Sequence, residues 1–116
     1  MPSTLEPKAG EVWFIDFSPQ VGREQAGVRP GLVISHDRFN NARNDQHIVV
    51  PITGTDRGLA YHVPISPPEG GLTKLSQVMC EQETSQSIDR FLSRRGVVSN
   101  QTLRQVREIV GALIDR

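Results

Sequence analysis

The sequence predicts a mainly β fold, in which five to six short strands form a small, strongly curved sheet or half-open barrel and one helix follows at the C-terminus. Three observations predict it. Short apolar runs recur between residues 11 and 82, and several alternate apolar and polar residues as strands do. Glycine- and proline-rich turns separate these runs. Only the last part of the chain carries apolar residues at helical spacing.

The first strand is predicted over residues 11–17 (EVWFIDF), with Trp13, Ile15 and Phe17 on one face and Pro19 closing it. The second to fifth strands are predicted at residues 31–36, 47–53, 60–65 and 75–82. Pro51 removes one donor from the third strand, which places that strand near an edge or a bulge. The segment SIDRFLSR, residues 87–94, fits either a sixth short strand or a helical turn.

The tail is predicted to form the helix. Its apolar residues recur every three or four positions and form one stripe: Leu103, Val106, Ile109, Val110, Leu113 and Ile114. Ser99 or Asn100 can cap the start of this helix. Gly111 weakens it by about 1 kcal/mol relative to alanine.

Composition sets the broad class of the protein. The 116 residues suit one domain, residues 1–116, and the 13 basic and 13 acidic residues cancel, which argues against a general polyanion binder. The single cysteine, Cys80, excludes an internal disulfide and a zinc site made of cysteines. The chain lacks the pattern of a signal peptide and any apolar run of membrane-spanning length. We therefore expect a cytoplasmic protein that does not enter a membrane.

The connection from residue 18 to residue 30 is the first candidate for a functional segment, because it is far longer than an ordinary hairpin loop. Two glycines free its backbone, and Arg23, Glu24 and Arg29 lie among them. Pro30 holds Arg29 in an extended conformation at the root of the loop. The alternative is a solvated loop in which Glu24 and Arg29 only pair with each other.

The residues of this loop carry a family resemblance. The stretch GEVWFIDFSPQVGREQAGVRPGLVIS, residues 10–35, resembles the opening motif of the MazF/PemK family of bacterial toxins. The segments VVPIT (49–53) and SQVMCEQ (76–82) resemble the second and third motifs of that family, in the same order along the chain.

The resemblance implies an SH3-like half-open barrel of the PemK/CcdB kind that works as a homodimer. It also implies an endoribonuclease (an mRNA interferase) that needs no metal or other cofactor and cleaves single-stranded RNA at short sequences. In that reaction the ribose 2′-hydroxyl attacks the adjacent phosphorus and leaves a 2′,3′-cyclic phosphate and a 5′-hydroxyl. The implied partner is an antitoxin whose acidic, disordered tail covers the RNA groove.

Carried over by motif, the implied catalytic residues are Arg29, Thr53 and Glu24. A guanidinium can stabilise charge on a phosphate, a threonine hydroxyl can orient it, and a carboxylate can accept the 2′-proton. An arginine is a poor proton donor because the pKa of a guanidinium exceeds about 12. The donor for the leaving 5′-oxygen therefore stays open.

The expected RNA-binding residues are Arg23 and Gln25 in the loop, and Glu81 and Gln82 at the end of the fifth strand. An amide such as Gln82 offers both a donor and an acceptor to a base edge. The chain departs from the family pattern after this pair. Residues 83–89 (ETSQSID) are longer than the usual segment and lack its basic residue, so the target sequence can differ.

Three alternatives remain open from the sequence. His36, His47 and His62 lie on or beside strands and offer a competing acid–base pair, although none lies in the loop. A CcdB-like toxin that poisons gyrase has a related fold and no nuclease activity. An SH3-like interaction module would need an aromatic groove, and the chain has only six aromatic residues.

Overall fold

The computed structural model describes residues 6–17, 27–40 and 45–114, and it confirms the predicted mainly β fold with a terminal helix. The seven strands are β1 Glu11–Asp16, β2 Val28–Val33, β3 Gln46–Thr53, β4 His62–Ile65, β5 Ser76–Met79, β6 Thr84–Ser87 and β7 Phe91–Val97. The helices are α1 Asp37–Asn40 and α2 Asn100–Ile114. The strands form one antiparallel sheet in the order β4-β5-β3-β2-β1-β7, and β6 pairs with β3 beside this path. The sheet is half-open and does not close into a barrel.

The described residues contain seven strands where the sequence predicts five or six. The segment after β5 accounts for the difference, because both alternatives for SIDRFLSR are present: a 3-10 turn at Ile88–Arg90 leads into β7. The strand before that turn, β6, has the sequence TSQS and pairs with Gln46–Val49 through its backbone. Its residues are all polar, so hydrophobic alternation cannot reveal it.

Pro51 lies inside β3 and not at an edge of the sheet. On one side it is paired with Gly31 of β2. On the other side β3 pairs with β6 up to Val49 and with β5 from Ile52 onward. The position without an N–H thus falls where β3 changes partner, so no ladder hydrogen bond is lost there.

The core lies on both faces of the sheet, as alternation along β1 predicts. One cluster packs against α2 and includes Val12, Leu32, Val50, Val78, Leu103, Val106 and Val110. The other lies on the opposite face of β1 and comprises Trp13, Ile15, Phe17, Val33, Val49 and Phe91. Cys80 is buried in the first cluster, where burial, together with the charge of Glu81, raises the pKa of its thiol to about 12.

Of the two residues predicted to cap α2, Ser99 and Asn100, it is Ser99 that does so, and Asn100 is the first residue of the helix. The Ser99 hydroxyl oxygen accepts a hydrogen bond from the Thr102 N–H at 3.1 Å, as an N-cap residue does. Glu69, far away in sequence, accepts from the Ser99 N–H at 3.0 Å and from the Thr102 hydroxyl at 2.6 Å. Among the described residues, no helix is both long and apolar enough to cross a membrane.

We expect the Glu69 carboxylate to make stability depend on pH. Burial raises the pKa of Glu69, but the hydrogen bonds from Thr102 and Ser99 outweigh burial and the net pKa is lowered. A lowered folded-state pKa stabilises the protein above the unfolded pKa of about 4.3, and this contribution is lost as pH falls through the folded value. Glu69→Gln should therefore lower the free energy of unfolding by about 1 kcal/mol at neutral pH and by less in acid.

Urea denaturation at several pH values measures this dependence. Glu108→Gln, an exposed carboxylate on α2, is the matched control and should leave the pH dependence unchanged. A constant difference between wild type and Glu69→Gln at all pH values would contradict the assignment.

Candidate active site

An open pocket of about 380 Å³ brings several polar side chains together beside an apolar patch. The patch consists of Phe14, Pro30, Ile52 and Leu72, and we refer to it as the apolar patch. The polar residues that line the pocket are Arg29, Thr53, Thr73, Lys74, Ser76 and Arg95. The pocket is thus built from strands β1, β2, β3, β5 and β7 and from the turn before β5.

Arg29 and Thr53 reach the pocket from two neighbouring strands. Arg29 is the second residue of β2, opposite Ile15 of β1, and Thr53 is the last residue of β3. The Nε atom of Arg29 is buried and has no hydrogen-bond partner among the described residues. A buried donor without a partner costs free energy, and no described residue offsets that cost here.

The Thr53 hydroxyl is oriented by its own backbone turn. Its oxygen accepts a hydrogen bond from the Thr55 N–H at 3.2 Å. Since this bond uses a lone pair of the oxygen, the hydroxyl proton remains available to donate to a bound anion.

Lys74 lies across the backbone that follows Thr53. A Cβ atom placed on Gly54 would lie 2.7 Å from Cε and 2.9 Å from Nζ of Lys74. The absence of a side chain at Gly54 therefore lets the lysine ammonium lie next to the end of β3.

Arg95 is the extra residue of a β-bulge. Val12 pairs with Gly96 and Trp13 pairs with Arg94, so Arg95 has no partner on β1. Bulges commonly redirect a side chain beside a functional site. Here the Arg95 guanidinium carbon lies over the Phe14 ring, 4.9 Å from its centroid, in a cation–π contact.

Two glycines fix the backbone of this bulge. Gly71 has φ of 70°, and a Cβ atom there would lie 2.0 Å from the Arg95 carbonyl oxygen. A Cβ atom on Gly96 would lie 2.6 Å from the Gly71 nitrogen. The turn before β5 and strand β7 therefore touch through their backbones, which places Lys74 and Arg95 on the same pocket.

The pocket is electropositive. Among the described residues, Arg29, Lys74 and Arg95 have no ion-pair partner, and no acidic side chain lines the pocket. Arg94, next to Arg95, differs: its Nε lies 3.0 Å from Oε2 of Glu11. Three unpaired cations with adjacent hydroxyls suit a phosphate-containing ligand.

Comparison with known proteins gives the family. Residues 8–114 match the family described as the PemK-like, MazF-like toxin of type II toxin-antitoxin systems. The chain belongs to this family. The endoribonuclease toxin MazF of Escherichia coli (strain K12) is 30% identical to this chain over 115 residues. The match covers 98% of this chain and 99% of that protein.

Solved structures agree with the fold. A crystal structure of MazF from Deinococcus radiodurans matches the toxin with a TM-score of 0.83 at 25% identity, covering 97% of this chain and 99% of that one. A MazE–MazF complex from the same organism matches with a TM-score of 0.75 at 22% identity, covering 96% and 97%. The family assignment favours the nuclease hypothesis over the gyrase-poisoning and interaction-module alternatives.

The structure brings Arg29 and Thr53 of the toxin to one pocket. Glu24, the predicted base, and Arg23 and Gln25, two predicted RNA contacts, lie outside the described residues.

Glu81 and Gln82 do not end the fifth strand as predicted. β5 stops at Met79, and a 3-10 turn over Cys80–Gln82 follows, in which Cys80 is buried. Neither Glu81 nor Gln82 lines the pocket.

The three histidines of the toxin do not line the pocket either. The Nε2 atom of His62 lies 3.0 Å from Oε1 of Glu81. His47 is buried beside the Phe91 ring, and burial lowers its pKa. His36 accepts a hydrogen bond from the Arg38 N–H. In residues 6–17, 27–40 and 45–114, no three His, Cys, Asp or Glu side chains form a group that could hold a metal ion.

Sequence reasoning missed Lys74 and Arg95. A signal for Lys74 was available, since it is one of only two lysines and follows the glycine pair of the segment GGLTKLS. Arg95 left no such signal, because only the pairing of β1 with β7 shows that it, and not Arg94, is the bulged residue.

Proposed function

We propose that this chain, an endoribonuclease of the PemK/MazF family, is a single-domain toxin that cleaves single-stranded RNA at short sequences without a metal. The observation that carries the proposal is one pocket lined by both Arg29 and Thr53, with Lys74 and Arg95 in the same lining. This arrangement supports cleavage by the internal 2′-hydroxyl, because it supplies charge stabilisation at a phosphate.

In this mechanism the 2′-oxygen forms a bond to phosphorus and the bond from phosphorus to the 5′-oxygen breaks. Arg29 donates hydrogen bonds to the non-bridging oxygens as negative charge develops on them. The Thr53 hydroxyl donates a hydrogen bond to the same phosphate and so fixes the position of that phosphate. Glu24 is the proposed acceptor of the 2′-proton. The leaving 5′-oxygen takes a proton from solvent water, so the products carry a 2′,3′-cyclic phosphate and a 5′-hydroxyl.

Base selection is proposed to involve Arg23, Gln25, Glu81 and Gln82. Of these, Glu81 already has an intramolecular partner, since its carboxylate contacts His62, whose side chain is only 2% exposed. Both carboxylate oxygens lie near the same His62 nitrogen, at 3.0 and 3.2 Å, so a base edge would meet a carboxylate that is held in place. Gln82 is half-buried in the same turn.

The proposed partners are RNA, a cognate antitoxin and a second copy of the chain. A solved complex of a structurally similar endoribonuclease with its cognate antitoxin, from a Mycobacterial species, supports the antitoxin. An acidic antitoxin tail would compete with RNA for the unpaired cations of the pocket. The homodimer is proposed from the family resemblance, and the exposed apolar residues Leu92, Val97, Leu113 and Ile114 are surface that a second copy could cover. The proposed compartment is the cytoplasm, where the RNA substrate is found.

Incubation of the purified protein with a long single-stranded RNA in excess EDTA tests the proposal. We expect discrete fragments whose 3′ ends carry a cyclic phosphate, because the pocket supplies its own cations. Sequencing of the 5′-hydroxyl ends then gives the target sequence. Cleavage that stops in EDTA and returns with magnesium would contradict the metal-independent mechanism, and an intact RNA in both conditions would contradict the nuclease.

A further inference from the structure

We propose that Arg95 binds the RNA phosphate next to the scissile one, so that the pocket holds a whole nucleotide between two phosphates. This inference rests on the proposed function, since it assigns the scissile phosphate to Arg29 and Thr53. It makes Arg95 a substrate-binding residue that positions the strand and takes no part in proton transfer.

The two arginines, Arg29 and Arg95, lie on strands that are separated by one intervening strand. In the sheet β1 lies between β7, which carries Arg95, and β2, which carries Arg29. Two strand spacings, about 10 Å, therefore separate the two backbones. The apolar patch lies in the same pocket, and two of its members, Phe14 and Pro30, are direct cross-strand neighbours on β1 and β2. The two guanidiniums thus rise from strands on either side of β1, which contributes Phe14 to the patch.

The positive charge of the pocket favours a ligand with more than one phosphate. One phosphodiester carries a single negative charge, whereas the described lining residues supply three positive charges and no negative one. A second phosphate brings ligand and pocket closer to neutrality. The volume of about 380 Å³ also exceeds what a phosphate alone would occupy and falls in the range of small-molecule sites. An apolar patch with cations around it suits the flat base and flanking phosphates of one nucleotide.

Contacts within the protein hold Arg95 in place before RNA binds. Its backbone is fixed by contact with Gly71, and its guanidinium rests on Phe14. Arg95 is exposed, and among the described residues it has no ion pair to break. Binding a phosphate therefore costs little side-chain entropy and no competing interaction. Arg94 offers the opposite case on the same strand, because Glu11 already neutralises it.

Salt-dependent RNA binding tests this assignment without requiring cleavage. The dissociation constant of a single-stranded RNA is measured by fluorescence anisotropy over a series of NaCl concentrations. Arg95→Gln should weaken binding about tenfold and reduce the slope of log K against log salt by about 0.7, the value for one phosphate contact in a single strand. Arg95→Lys should restore the slope. Arg94→Gln is the matched control and should change neither quantity.

A neutral linkage locates the contact. Methylphosphonate replaces one linkage on either side of the cleaved bond, in an RNA whose attacking 2′-hydroxyl is removed. At one of the two positions the wild type should lose about tenfold in affinity, and Arg95→Gln should lose nothing further. In the cleavage assay Arg95→Gln should raise KM and leave kcat within about twofold.

The result that overturns the inference is a wild-type salt slope in Arg95→Gln, or additive losses at both linkages. Either result leaves the nuclease proposal intact, because that proposal depends on whether the wild type cleaves RNA in EDTA. A large fall in kcat with unchanged KM would also overturn it, since Arg95 would then act on the transition state.

Discussion

Replacing Arg29 by alanine should reduce the rate of RNA cleavage about 100- to 1,000-fold, the cost of removing one well-placed donor to a developing oxyanion. This corresponds to about 2.7–4 kcal/mol of transition-state stabilisation. The loss should appear mainly in kcat, since the hydrogen bonds strengthen as charge accumulates on the phosphate. Single-turnover cleavage of a short RNA that contains the mapped site measures it.

The variant should stay folded, because the Nε of Arg29 has no partner among the described residues and its removal leaves none unpaired. Circular dichroism and urea denaturation check this point. Arg104→Ala, an exposed arginine on α2, is the matched control and should cleave at the wild-type rate. A folded Arg29→Ala variant with wild-type activity would remove the central residue of the proposed mechanism.

Replacing Gly71 by alanine should destabilise the protein by about 3 kcal/mol. A β-carbon at φ of 70° costs about 1–2 kcal/mol by itself, and the overlap with the Arg95 carbonyl adds a cost of the kind seen in overpacked cores, about 1–3 kcal/mol. The atom that the new methyl group meets belongs to the backbone, so β7 must shift to make room. The free energy of unfolding in urea measures the effect.

Gly58→Ala separates the two costs. Gly58 also has positive φ, 66°, but no heavy atom lies within 4 Å of the position of its missing Cβ. The control should therefore cost only the backbone strain, about 1 kcal/mol. Equal losses in the two variants would show that the contact between the Gly71 turn and β7 contributes little to stability.

Most of the fold could be predicted from the sequence, and the reasons are visible in particular residues. Alternation in β1 put Trp13, Ile15 and Phe17 on one face, and the structure buries all three in one cluster. The apolar stripe of α2 could be predicted as well, and so could its cap at Ser99, which was one of two candidate positions. β6 was not, because its four polar residues are held by backbone pairing with β3 and carry no periodic signal.

The residues of the candidate site also divide into those that could be predicted from the sequence and those that could not. Arg29 could be named because it lies at the root of an unusually long loop, and Thr53 because the family resemblance implies a threonine at that position of the second motif. Arg95 could not, since its position depends on a register shift between β1 and β7 and on a backbone contact between glycines distant in sequence. Lys74 was missed although its place after the glycine pair offered a signal. Glu81 and Gln82 were assigned to a strand because they directly follow the apolar run VMC, and nothing local marks the turn after Met79.

The burial of Cys80 makes the protein convenient for site-specific labelling. It is the only thiol of the chain, its side chain lies in the core, and a pKa of about 12 keeps it protonated at neutral pH. Maleimides and iodoacetamides react with exposed thiolates, so they will leave this sulfur untouched in the folded state. A cysteine introduced on the surface can therefore carry a single fluorophore in the wild-type background, with no need for a cysteine-free version.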